Sequence, residues 1–101
     1  MSLLCIKTAR RDFNEAISRW DVSSMKAADF MFDRATSFNG DLSRWNMSSV
    51  EDMAYMFRGA TSFDRQLDGA WSTSTATKTC MFLNSPGTIA GRTKRADGTI
   101  E

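Results

Sequence analysis

Residues 13–37 and 38–62 align without a gap and are identical at twelve of 25 positions, where unrelated chains of ordinary composition share about one or two. This period constrains the fold more than any other feature. A unit of 25 residues cannot bury an apolar stripe alone, so neighbouring units must stack and bury it together. A third copy, FDRQLDGAWSTSTATKTCMFLNS, runs from Phe63 to Ser85 and is more diverged. Its Trp71 comes one place late, and the following segment is one residue short, so Met81-Phe82 return to register. Backwards, Leu3, Cys5 and Ile6 fall on Ala28, Phe30 and Met31. The chain therefore divides into a partial repeat (1–12), repeats at 13–37 and 38–62, a diverged repeat at 63–85, and a tail at 86–101. Forwards, Thr88 falls where Phe is expected and Arg92 where Leu is expected. The tail is rich in Gly, Thr and charge, which favours disorder over a polar cap on the last repeat.

Positions that stay apolar in every copy are the expected core. They are Phe13, Phe38 and Phe63; Ile17, Leu42 and Leu67; Trp20, Trp45 and Trp71; Met31-Phe32, Met56-Phe57 and Met81-Phe82. The first part of each unit, Phe-Asn-x-x-Leu-Ser-Arg-Trp, mixes branched and aromatic residues with Ser and Asn and predicts a short strand. The second part predicts a short helix. Ser49 and Asp52 resemble a capping box, Val50, Met53, Met56 and Phe57 share one helical face, and Gly59 is a plausible stop. The expected fold is α/β: a short right-handed, leucine-rich-repeat-like solenoid with one short strand and one short helix per repeat.

Composition narrows the function classes. Thirteen basic and 12 acidic residues leave a net charge of +1, which gives no electrostatic case for nucleic acid. No apolar run reaches the roughly 18 residues of a membrane helix, so membrane insertion is not expected. The N-terminal stretch lacks a basic region and a cleavage site and makes a poor signal peptide. There is no histidine, hence neither the commonest general base nor the commonest metal ligand. No nucleophile, base and oxyanion site converge, and neither catalytic residue, metal nor cofactor is expected. Cys5 and Cys80 occupy equivalent positions three repeats apart. At about 4.8 Å per stacked strand that is too far for a disulfide, and both are expected as small apolar core residues.

The string Phe38-Asn39-Gly40-Asp41-Leu42-Ser43-Arg44-Trp45, followed by Ser48-Ser49-Val50-Glu51-Asp52-Met53-Ala54-Tyr55-Met56-Phe57-Arg58-Gly59-Ala60-Thr61-Ser62-Phe63, resembles the units of the BspA-like leucine-rich-repeat surface proteins. The likeness covers residues 13–85. It implies a strand-plus-helix solenoid in a long cell-surface or secreted protein linked to adhesion, with no catalytic residues. Few units and a degraded third one fit a fragment of a longer array or a truncated gene model.

Polar positions beside the core tryptophans form the expected binding face: Ser18, Arg19, Asp21, Ser43, Arg44 and Asn46. Arg19 and Arg44 there read more simply as a solvated face. Asn14, Asn39 and Asp64 recur at one position and read as a structural ladder satisfying backbone groups rather than a cation site. Two functions follow. One is a recognition or adhesion module for an unidentified protein or surface ligand. The other is a scaffolding unit that self-associates end to end through exposed repeat ends.

Overall fold

The computed structural model describes Ile17 and residues 19–101. Cys5, Phe13, Asn14, Ser18 and the partial repeat 1–12 lie outside the described residues. Equivalent positions of successive units pair directly. Ala27 bridges Asp52 and Asp52 bridges Thr77, both in parallel and both at the repeat spacing. The amides of Ala28, Phe30 and Phe32 donate to the carbonyls of Asp52, Ala54 and Met56 at 2.8, 3.1 and 2.8 Å, and Arg34 donates to Arg58. One unit later Met53, Tyr55, Phe57 and Gly59 donate to Thr77, Thr79, Met81 and Leu83 at 2.7, 3.0, 2.9 and 2.8 Å.

The amides between these donors turn inward. Met31, Asp33 and Ala35 each donate to the carbonyl three residues back, and so do Met56, Arg58 and Ala60 in the next unit. Every second amide crosses to the neighbour and every other one closes a tight turn. This arrangement replaces the helix expected over residues 49–57, which would need each amide to reach the carbonyl four residues back. Backbone angles give the second reason. Phe30, Tyr55 and Cys80 have φ of 60, 58 and 50°, and Arg34, Gly59 and Asn84 have 60, 70 and 58°. Two left-handed residues per unit bend the chain in a way no right-handed helix permits. Asp52 does not reach back to Ser49; its Oδ1 accepts from the amide of Ala54 at 2.9 Å.

Among residues 19–101, regular structure is confined to the third unit and the tail. β1 (Gln66–Leu67) carries the Leu-equivalent position and pairs in parallel with β2 (Thr88–Ile89), while α1 (Ala70–Thr73) presents Trp71 to the core. The corresponding stretch of the second unit, 38–47, contains a turn at 43–44 and no strand. Leu67 is partnered by Ile89, not by the expected Arg92. The chain thus reaches the Leu-equivalent position three residues early, and Arg92 instead donates to the carbonyls of Ser72 and Ser74, both at 2.8 Å. The tail, for which disorder was favoured, folds back on the third unit and buries Ile89 and Ile100.

The core is a stack of equivalent rings. Phe32, Phe57 and Phe82 lie face to face at centroid distances of 5.3 and 5.2 Å, and Phe38 stacks on Phe63 at 5.7 Å. Phe32–Phe38 and Phe57–Phe63 contacts at 4.2 and 4.4 Å tie the two columns together. Ile17, Met31, Leu42, Trp45, Met56, Leu67, Trp71 and Met81 are buried beside them, with Val22, Met25, Met47, Val50 and Met53 completing the interior. Each buried indole also binds the previous unit: Trp45 Nε1 donates to Ile17 O at 2.9 Å and Trp71 Nε1 to Leu42 O at 3.1 Å. Trp20 departs from the expected core, being only half-buried against it. Lys78 stands at the position of Ala28 and Met53 and is buried, its Nζ donating to Ser74 O at 2.6 Å and Ala76 O at 3.0 Å.

Candidate interaction face

Apolar residues occupy the inward positions of each unit, so the polar positions between them face outward. Arg19, Asp21, Ser43, Arg44 and Asn46 are all exposed. Ser18 lies outside the described residues. Asp21 and Asn46, equivalent in the repeat, close equivalent turns. Asp21 Oδ1 accepts from the Ser23 amide at 3.0 Å and the Ser23 hydroxyl at 2.7 Å, and Asn46 Oδ1 accepts from the Ser48 amide at 3.0 Å. A third such turn joins Asp41 to the amide of Ser43 at 3.0 Å. These side chains therefore have a structural use that accounts for their identity, because a short polar group two residues before an amide stabilises a turn.

The same contacts set the charge of the face. The Ser23 hydroxyl and amide hold the Asp21 carboxyl below its ordinary value of 3.8. The Ser43 amide and hydroxyl do the same for Asp41, helped by the positive charges of Arg65 and Arg44. The face therefore carries mixed charge at neutral pH, with Arg44 and Arg65 close to the Asp41 carboxylate.

Beyond Asn46 the surface sinks into an open groove of about 410 Å³. Its polar lining comes from Lys26, Ser48, Ser49, Glu51 and Thr75, over a floor of Val50 and Ala76. Lys26, Glu51 and Ala76 stand at one register position in three consecutive units, and Ser49 and Thr75 flank them. Ser48 belongs to both features, since its amide is held by Asn46. The groove was not expected from the sequence. The signal for it was the recurring hydroxyl pair Ser23-Ser24, Ser48-Ser49 and Ser74-Thr75, which the helix-capping reading absorbed. Hydroxyls beside one cation and one anion can hydrogen-bond a polar ligand in both senses.

Other candidates end differently. Of the expected ladder, Asn14 lies outside the described residues, and the buried Oδ1 of Asn39 has no partner among them. The Asn39 carbonyl accepts from Arg65 Nε at 2.9 Å. Cys80 is a free, partly buried thiol with a left-handed backbone rather than a core residue. No group of three His, Cys, Asp or Glu side chains among the described residues could hold a metal ion. No helix among them is long and apolar enough to cross a membrane.

A family model described as Mycoplasma protein of unknown function, DUF285, matches residues 5–91. The chain belongs to this family. DUF285 is a repeat-containing family, which agrees with the pairing of equivalent positions described above. The match takes in the interaction face, the groove and β2, and stops within the tail. No curated protein and no solved structure matches the chain.

Proposed function

We propose that this DUF285 chain is a short stretch of solenoid that serves as a non-catalytic recognition module of a cell-surface or secreted protein, in the manner of the BspA-like leucine-rich-repeat surface proteins. One observation carries the reading. The repeated apolar positions are used up in the core, while the repeated polar positions Arg19 and Arg44, and Asp21 and Asn46, are exposed and lead into the groove at Lys26 and Glu51. A surface built from equivalent positions of stacked units is where repeat proteins present extended binding sites. The groove is open and polar and suits capture of a polar protein or glycan surface rather than enclosure of an apolar small molecule.

The alternative, a scaffold that self-associates through exposed repeat ends, has less support, because the C-terminal end is paired with the tail. The recognition reading is tested by measuring binding of the purified chain to immobilised extracellular-matrix proteins and to host-cell monolayers. Arg44→Glu and Glu51→Lys should each reduce binding at least tenfold without changing stability. Equal binding by both variants and the parent would remove this face from consideration.

A further inference from the structure

Side chains in the groove beyond Asn46 differ from their repeat equivalents in what they bind. The Ser23 hydroxyl donates to Asp21 at 2.7 Å, and the Ser74 hydroxyl accepts from the Ala76 amide at 3.1 Å. Ser48 stands at the same position of the second unit, but Asn46 holds only its amide, so its hydroxyl has no partner among the described residues. The hydroxyls of Ser49 and Thr75 have none there either. Lys26 and Glu51 form no ion pair, with each other or with any other described side chain.

The backbone fixes how these groups stand. Glu51 N donates to Lys26 O at 2.7 Å and Thr77 N to Glu51 O at 3.1 Å, which lays three units side by side beneath the groove. The two charged side chains therefore leave the chain one unit apart, a step of about 4.8 Å. Both are exposed. A donor-only ammonium and an acceptor-only carboxylate thus share the groove with three hydroxyls that serve as both. The apolar lining is Val50 and Ala76, nearly buried at 6% and 9% exposure.

We infer that the groove takes a glycan bearing a carboxylate, as a hexuronate does, a ligand class that rests on the recognition role proposed above. Lys26 meets the carboxylate. Glu51 accepts from neighbouring ring hydroxyls, and Ser48, Ser49 and Thr75 exchange hydrogen bonds with the others. The C–H face of one ring covers Val50 and Ala76. A protein partner fits less well. Protein hot spots seat aromatic or arginine anchors in desolvated pockets, whereas this groove is open and has no aromatic lining. A densely sulfated chain also fits less well, because Glu51 stands one unit from Lys26 and repels a neighbouring anion.

Titration calorimetry of the full chain with a tetrasaccharide alternating glucuronate and N-acetylglucosamine tests this. Saturable binding is expected, weakened about tenfold or more by Lys26→Gln and by Glu51→Ala, since each removes a charged hydrogen-bonding partner. A neutral N-acetylglucosamine tetramer should bind more weakly and lose nothing further in Lys26→Gln. Both side chains are exposed and unpaired, so both variants should melt with the parent. Absence of saturable binding to the glucuronate tetrasaccharide overturns the inference. Unchanged affinity in Lys26→Gln does so too, as does tighter binding of a fully sulfated heparin tetrasaccharide. Matrix proteins stripped of their glycans by enzymes separate the ligand class from the recognition role. Capture of native but not of stripped matrix supports the glycan. Equal capture of both overturns the glycan and leaves recognition standing, while capture of neither, with no sugar bound, overturns both.

Discussion

Replacing Trp45 with alanine removes the largest side chain at the centre of the stacked units. The ring is 2% exposed, packs 6.0 Å from the Phe32 ring centroid and donates its indole proton to the carbonyl of Ile17, itself fully buried. Two costs combine. Truncating a buried Trp costs about 3–5 kcal/mol through lost transfer energy and the cavity left behind. The lost indole bond adds about 0.5–1.5 kcal/mol, because the Ile17 carbonyl still accepts from the Trp20 amide at 3.1 Å. The combined loss is about 4–6 kcal/mol, since the two terms overlap. A domain of this size is stable by about 5–15 kcal/mol, so Trp45→Ala should remove about a third of that stability at the upper limit and nearly all of it at the lower. Trp45→Phe keeps most of the ring volume and loses the indole bond, at a cost of about 0.5–1.5 kcal/mol. Trp20→Ala, at the half-buried equivalent, should cost less than Trp45→Ala. Urea titrations followed by the fluorescence of the remaining tryptophans, with hydrogen exchange as a second readout, give the three values on one scale. A Trp45→Ala midpoint within about 0.5 kcal/mol of the parent would falsify the assignment of this column to the core.

Three further outcomes follow from single positions. Gly59 has a left-handed backbone, and a Cβ there would meet Arg34 Cγ at an ordinary 3.4 Å, so Gly59→Ala should destabilise by about 1 kcal/mol through backbone strain alone; a loss several times larger in a melting experiment would mean that packing, not φ, decides the position. Gly87→Ala is a steric test instead, because its Cβ would come within 2.6 Å of the Phe82 ring and 2.7 Å of the Phe63 ring, and about 1–3 kcal/mol of overpacking should appear in the same assay. Burial, and then the nearby charge of Arg92, push the Lys78 ammonium below its ordinary 10.5. The unfolded chain therefore binds more protons than the native one between the folded value and 10.5, and stability should rise with pH across that window. Lys78→Met, which restores the residue type of Met53, should abolish that rise, so parent and variant titration curves that stay parallel up to pH 10.5 would contradict the burial of this charge.

Most of the interior was legible from the repeat alone. A position that is Phe, Leu or Trp in every unit must face the other units, and Phe38, Leu42, Trp45, Phe57, Phe63 and Trp71 are buried accordingly. Trp20 shows the limit of that inference, since it is only half-buried at the position that buries Trp45 and Trp71. The exposure of Arg19, Asp21, Ser43, Arg44 and Asn46 was legible for the complementary reason. The groove at Lys26 and Glu51 was not, since its lining comes from three units and no single stretch of chain contains it.

The local conformation of residues 49–57 was decided by tertiary structure. Val50, Met53, Met56 and Phe57 have helical spacing, and an isolated segment with that pattern has no better use for its amides than an internal ladder. Once a neighbouring unit supplies carbonyls at the repeat spacing, alternate amides cross to it, and a turn with two left-handed residues replaces the helix. The tail was decided in the same way. Its Gly, Thr and charged residues signal disorder when read by composition. The last unit presents unpaired donors and the face of Phe82, and Gly98, Thr99 and Lys94 meet them. The sequence by itself determined the repeat, its register and the sidedness of each unit, because those depend only on which positions recur as apolar. Which amide meets which carbonyl, and where the ladder stops, depend on partners distant in the chain, and only the folded structure brings those partners together.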